Sequence, residues 1–447
     1  MGSAKGNAEN LADTLIALAK RSGAQAAEVF QSRSQARPVF FEANRLKHLE
    51  SNESEGTALR LWRDGCPGLA VAHGEVDPQA LVDRAIAISK LNPPEEIELH
   101  EGIEGRYPDV GQSVGLEQLV EWGQEAIAQV RPAYPEVLCQ AEFTCETETT
   151  TLTNSQGLYC SQTDTTLSSY FAAEWVRGDD FLTVEDGQTQ RDSLDPKALT
   201  RNVLQRLSWA QTNVQPILGR VPILFTSKAA DMLWETIQEA LNGKRALEKA
   251  TPWYDRLGYA VLSPAITLYQ DPKAGPFSCP FDDEGTPTSK LTFVEDGVLK
   301  LFYCDRATSR AWGWEHPPGG SDGLHPTGNG FRPSLGSYPT PGLYNFLVKP
   351  GERGLSQMMA DLNEGIIVDQ MLGGEIGLSG DFSINVELGY CIRGGEAIGR
   401  IKDTMVAGNI YKALNQLVYL GNDAEWNGAI YTPSLVVDGL TVTGRCS

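Results

Sequence analysis

Histidine is scarce in this chain, with five among 447 residues: His48, His73, His100, His316 and His325. No two stand in an H-x-x-x-H or H-E-x-x-H spacing, which would set two imidazoles on one helical face to hold a metal. Eight cysteines, Cys66, Cys139, Cys145, Cys160, Cys279, Cys304, Cys391 and Cys446, include no C-x-x-C pair. Cys139 and Cys145 fall on one face of a strand-like run, yet nothing nearby completes a ligand set, and reduced buried thiols are the expectation. G-x-S-x-G is absent as well, so no nucleophile stands out by local motif. No apolar run approaches the roughly 20 residues needed to cross a bilayer, and the N-terminus lacks the regions of a secretory signal. MGSAKG reads as a flexible start, and a cytoplasmic location without membrane attachment is expected. Positive charge is also in short supply: 37 Lys and Arg face 58 Asp and Glu, a net charge of −21. That field repels nucleic acid, and no basic cluster resembles a phosphate-binding stripe, while a cationic partner stays open.

Hydrophobic residues make up 41% and charged residues 21%, ordinary globular usage, and the length suggests two or three domains. NLADTLIALAKRSG carries Leu11, Leu15, Leu18 and Ala19 at helical spacing, with Gly23 placed to end the helix. RPVFFEANRLKHLE and GTALRLW read as strands, and Asp64-Gly65 supplies the positive φ angles of a hairpin turn. DPQALVDRAIAISKL, LEQLVEWGQEAIAQV and DPKALTRNVLQRLSWA read as helices, and the Thr-rich run from Cys139 to Gly178 as antiparallel strands turning at 154–157. The expected class is α+β. An N-terminal domain over 1–215 joins an antiparallel sheet to flanking helices, and a C-terminal domain over 216–447 is mainly β, barrel-like or a sandwich. Within it, WEHPPGGSDGLHPTGNGFRPSLGSYPTPG (314–342) suits neither helix nor long strand, the character of a binding or lid loop. NIYKALNQLVYL is the one expected helix of the last hundred residues.

WETIQEALNG (234–243) sits in a further helix. At ~100° per residue, Ala230, Leu233, Trp234, Ile237, Ala240 and Leu241 share an arc while Glu235 and Glu239 face away. Ser227 and Gly243 are the candidate N- and C-caps. Amphipathicity alone accounts for this helix, and two carboxylates at i, i+4 are more often a solvated face than a cation site.

Six stretches in order, AKRSGAQAAEVF, TNSQGL, DDEGTPTSKLTFVEDGVLKLFYCDRATSR, HPTGNGFR, LSGDFSINVELGYCIRGGEAIGRIKD and VAGNIYKALNQL, resemble the TldD/PmbA (TldE) family, which includes proteins called modulators of DNA gyrase. The resemblance implies a subunit of a two-part peptidase. In the TldD branch this helix carries H-E-x-x-x-H, whose two imidazoles, with a Cys near the C-terminus, hold zinc. The resemblance aligns Trp234 and Glu239 with the two His positions and Glu235 with the motif carboxylate; Cys446 is a poor substitute for the Cys. No zinc is expected in this chain, and zinc is expected in a TldD-like partner. The implied role is a PmbA/TldE-like subunit, without catalytic residues of its own, of a heterodimer acting on unfolded or small peptides, with a homodimer when isolated. Asn329, Arg332, Asp381 and Ser383, polar residues among glycines in two of the matching stretches, are candidates to orient a peptide backbone, with turn chemistry as the plainer account. Two other readings stay open. One is an independent hydrolase using His316 or His325, the other a regulatory protein binding a gyrase-related target.

Overall fold

Leu15 and Ala19 are fully buried and Leu11 and Leu18 partly so, as their spacing requires, in a first helix α1 (Gly2–Arg21) that also takes in the residues expected to be a flexible start. The computed structural model describes residues 2–102, 104–312, 326–373 and 376–444, with backbone alone for 2–9 and 104. Eight strands follow in the first half: β1 (Ala26–Glu42), β2 (Arg45–Leu49), β3 (Asn52–Arg63), β4 (Cys66–His73), β5 (Glu104–Arg106), β6 (Leu138–Asn154), β7 (Tyr159–Arg177) and β8 (Asp180–Gln190). They form one sheet in the order β4-β3-β1-β6-β7-β5, with β2 beside β1 and β8 beside β7. Neighbours are antiparallel except β5 with β7.

Turn chemistry explains several reversals. Asp64 and Gly65 both take positive φ between β3 and β4. Asn154 accepts hydrogen bonds from the backbone of Gln156 and Leu158 between β6 and β7. RPVFFEANRLKHLE, expected as a strand, reverses at Ala43-Asn44, both with positive φ, because the Asn44 amide is tied to Val137 O (3.2 Å) and Cys139 N (2.8 Å).

Helices α2 (Pro78–Ser89), α3 (Leu116–Val130) and α4 (Pro196–Trp209) cover the sheet. Asp77 and Asp195 cap α2 and α4, each followed by Pro at the first helical position, where its missing N–H costs nothing. Helices α1 and α2 bury Val29, Leu59 and Leu61 of the sheet, and α3 and α4 bury Phe41, Phe143, Phe171 and Val184. Cys139 and Cys145 lie in this second cluster as expected, free and buried.

The second half is mainly β, its sheets curled into half-barrels. A nine-stranded sheet includes Ile223–Phe225, Glu364–Leu372, Asp381–Arg393 and Thr404–Asn409 as neighbours, the first pair parallel. A six-stranded sheet runs from Val298–Leu299 to Glu425–Asn427. Between them the helix α5 (Ser227–Ala240) follows Ile223–Phe225 and fills the largest core. NIYKALNQLVYL is helical only over Ile410–Asn415, and Leu417–Leu420 leaves it as a strand. Of the long loop, residues 326–342 are described and include a two-residue ribbon, Gly330–Phe331 against Thr340–Pro341. One hydrophobic cluster draws on both halves of the chain: Leu199, Val203 and Leu207 of α4 meet Ile367, Leu388, Tyr390 and Ile392 of the nine-stranded sheet. No described helix is long and apolar enough to cross a membrane.

Candidate functional site

Helix α5 begins where Ile223–Phe225 ends, and Thr226 rather than Ser227 caps it, its hydroxyl accepting from Ala229 N. Ser227 is already the first helical residue, and its hydroxyl donates to Glu425 (3.3 Å). Gly243 is not the C-cap either. The helix ends at Leu241, and Gly243 opens a short second helix so close to Cys304 that a Cβ would lie 2.3 Å from its sulfur.

The buried face is the expected arc, and Trp234 lies within it with no exposed surface. Its indole N–H donates to the Thr432 hydroxyl at 2.6 Å, which in turn donates to Pro433 O. Glu235 and Glu239 are exposed, and Glu239 pairs with Arg245 at 3.4 Å. This donor set does not fit zinc. An indole nitrogen has no lone pair to give and its hydrogen is already committed, leaving one solvated, paired carboxylate where a three-ligand shell would be needed. Among the described residues no group of three His, Cys, Asp or Glu is placed to hold a metal. His316, His325 and Cys446 lie outside the described residues.

The four polar residues of the glycine-rich stretches separate into two pairs. Asn329 is fully buried, its amide bonded to Gln270 (2.8 Å) and Gly342 O (2.9 Å) and accepting from Thr327 (2.7 Å). Arg332 reaches 304 residues back to Glu28 at 2.6 Å, a carboxylate that also takes Arg60 at 3.1 Å. The Arg332 backbone donates to Asp283, whose carboxyl is pushed up to about 6, chiefly by burial. Arg332 therefore binds the second half to the N-terminal sheet, while Asn329 ties together segments within the second half. Asp381 and Ser383 sit instead on the exposed face of Asp381–Arg393, where Asp381 accepts from Asn409 (2.9 Å).

The open space near α5 is a cleft of about 390 Å³ lined by Ser169 of β7, residues 187–189 of β8, Lys228 and Asp231 of α5 and the 426–428 turn. Behind it runs a buried ionic chain. Arg206 of α4 donates to Asp186 of β8 (3.0 Å) and to Asp369 (2.9 Å), and Lys228 lies 2.9 Å from Asp186. The carboxylates are held differently. Burial raises both, but Lys228 and Arg206 together carry Asp186 below its usual range, while Asp369, opposed only by Arg206 and the Thr226 hydroxyl, stays above it. The cleft wall is thus fixed from both halves of the chain.

Residues 218–444, just over half of the chain, match the PmbA/TldA metallopeptidase C-terminal domain, and residues 27–89 match PmbA/TldA metallopeptidase domain 1. The chain belongs to the PmbA/TldD family. Among relatives of this family it is 25% identical to metalloprotease PmbA of Escherichia coli O157:H7 over 65% of the chain and 62% of that protein. It is 25% identical to a metalloprotease TldD homologue of Buchnera aphidicola over 52% and 49%. These matches span less than two thirds of the relatives' length. TldE of Thermococcus kodakarensis shares the fold with a TM-score of 0.87 at 23% identity, covering 97% of this chain and all of that one. A Thermotoga maritima protein named for modulation of a DNA gyrase shares it at 0.84 and 21%, over 97% and 100%. The α+β architecture is that of the PmbA/TldD fold. Sequence reasoning missed Asp231, Trp426 and the Asp186–Arg206–Asp369 chain of this PmbA/TldD protein. One signal was present: Arg206 falls in the apolar arc of its helix with Val203 and Leu207, where a cation needs a buried partner.

Proposed function

We propose that this chain is a PmbA/TldE-like subunit that pairs with a zinc-bearing TldD-like subunit in the cytoplasm, forming a peptidase for unfolded or small peptides, and that it contributes binding surface rather than the metal. The observation that carries this reading is the Trp234 indole. It is buried and hydrogen-bonded to Thr432, at the residue that the family resemblance aligns with the first zinc ligand of the TldD branch. The partner's zinc would supply the activated water. This chain's residues would bind and orient an extended peptide, whose backbone groups give affinity without demanding a sequence. In isolation the chain would form a homodimer through the surface that otherwise meets the TldD-like subunit.

The test is cleavage of an unstructured peptide by the purified chain, alone and mixed with a TldD-like subunit, with and without a chelator. Chelator-sensitive cleavage by the mixture beyond that of either subunit supports the reading. Cleavage by this chain alone overturns it in favour of an independent hydrolase.

A further inference from the structure

The cleft beside α5 carries a carboxylate that the chain itself only partly offsets. Of its two ionisable lining groups, Lys228 is spent, with its ammonium 2.9 Å from both Asp186 and Gly187 O. Asp231 accepts from the backbone of Met232 at 2.7 Å and has no ion-pair partner among the described residues. The helix dipole does not account for it, since Asp231 stands five residues beyond the Thr226 cap and that effect fades within the first turn. It stands one turn before Glu235 on the same side of α5, but unlike Glu235 and Glu239 it is only partly exposed. Burial pushes its carboxyl up to about 6, with Glu235 acting in the same direction, so the site works against the anion it holds. A partly buried carboxylate that lines an open cleft without a contacting ion-pair partner is a mark of ligand binding.

Two independent features say which ligand fits. Ser169 is nine-tenths buried, and its hydroxyl has no hydrogen-bond partner. Asn427 uses its amide N–H on Ser227 O (2.5 Å), leaving its carbonyl oxygen as an acceptor. Asp231 and the Asn427 carbonyl oxygen are thus acceptors on the cleft lining for a group rich in N–H donors, and the unpaired Ser169 hydroxyl belongs to the same lining. A divalent cation would require more anionic oxygens, and a planar guanidinium favours a carboxylate with both oxygens free, whereas one Asp231 oxygen already accepts from Met232 N. Trp426, braced by Tyr431 at 5.1 Å and closing on Gly275, where a Cβ would lie 2.1 Å from the ring, supplies an aromatic wall. Such a ring attracts a cation and gives the adjoining chain a flat surface.

We propose that this cleft binds the primary ammonium group of an extended peptide, with the Asp231 carboxylate as its counter-ion and Trp426 as the wall for the residues that follow. The inference rests on the peptide-binding reading above and adds a chemical preference to it. The amine is either the α-amino terminus or a lysine side chain, two sources with one chemistry.

The test is calorimetric titration of the isolated chain with three unstructured pentapeptides. One has a free N-terminus and no lysine, one is N-acetylated without lysine, and one is N-acetylated with a single lysine. Binding of the first or third at least about tenfold tighter than the second, with the preference abolished by Asp231→Asn and kept by Glu235→Gln, supports the proposal and names the amine's source. Equal binding of all three, binding of none, or an amine preference that survives Asp231→Asn overturns it. The melting temperature of Asp231→Asn, expected to be no lower than wild type because the site disfavours the anion, guards against a folding artefact. None of these results bears on whether the mixture cleaves peptide in a chelator-sensitive way, so the two readings fail separately.

Discussion

Replacing Arg206 by Met tests whether the ionic chain behind the cleft holds the two halves of the molecule together. The guanidinium joins Asp186 and Asp369, whose side chains are 1% and 0% exposed. Met keeps the aliphatic volume and removes the charge, leaving Asp186 with Lys228 and Asp369 with no cation. Removing one partner of a buried ion pair costs about 3–5 kcal/mol, because the other charge stays behind unpaired. Unfolding entropy of about 2.1 cal/mol/K per residue makes about 0.9 kcal/mol/K for the whole chain, so Tm should fall by about 3–5 °C at pH 8. The pH dependence makes the argument specific. Asp369 is raised already, and without Arg206 it is raised further. A group with a raised folded-state pKa stabilises when protonated and loses that contribution as pH rises through its folded value. The deficit of the variant should therefore shrink between pH 8 and pH 5.5, measured by differential scanning calorimetry. A second variant, Arg206→Met with Asp369→Leu, should recover part of the loss at pH 8, since the orphaned charge is gone. An unchanged Tm at pH 8, or a deficit as large at pH 5.5, would refute the reasoning.

Trp234→Ala should cost about 3–5 kcal/mol, read from the denaturant midpoint, because it empties a fully buried site and strands the Thr432 hydroxyl. Glu239→Gln, on the exposed face with only Arg245 as partner, should stay within about 0.5 kcal/mol in the same assay and leave cleavage by the mixed subunits intact. Asp180 accepts from Arg177 (2.8 Å), Asn213 (3.0 Å), Arg400 (3.2 Å) and Lys402 (2.7 Å). Burial opposes its ionisation, but these partners prevail and hold it below the usual carboxylate range. Asp180→Asn should therefore destabilise by about 1–3 kcal/mol at pH 7. Because the folded-state value is depressed, the gap to wild type should close as pH falls below about 4, in thermal melts across pH.

What was legible in the sequence was mostly local. Asp77-Pro78 and Asp195-Pro196 announce the starts of α2 and α4 because cap and first helical residue are adjacent in the chain. The arc through Leu233, Trp234 and Ile237 follows from helical geometry alone, and so does the outward direction of Glu235 and Glu239. The choice between Thr226 and Ser227 as cap was not legible, since both carry hydroxyls and the end of the preceding strand decides between them. The turn at Ala43-Asn44 lacks glycine and depends on side-chain bonds to residues 137 and 139. The cleft was beyond reach for the same reason on a larger scale. Its walls come from residues 169 to 428, and no pattern within a dozen residues of Asp231 indicates that Trp426 faces it.

The cluster shared by α4 and the nine-stranded sheet also sets the order of events during synthesis. Leu199, Val203 and Leu207 leave the ribosome well before Leu388, Tyr390 and Ile392 exist to cover them. At 5–20 residues per second, the part of that apolar stripe not covered by α3 and the first sheet stays open for on the order of ten to forty seconds. The nascent first half therefore carries part of its final packing surface uncovered until the last strands arrive.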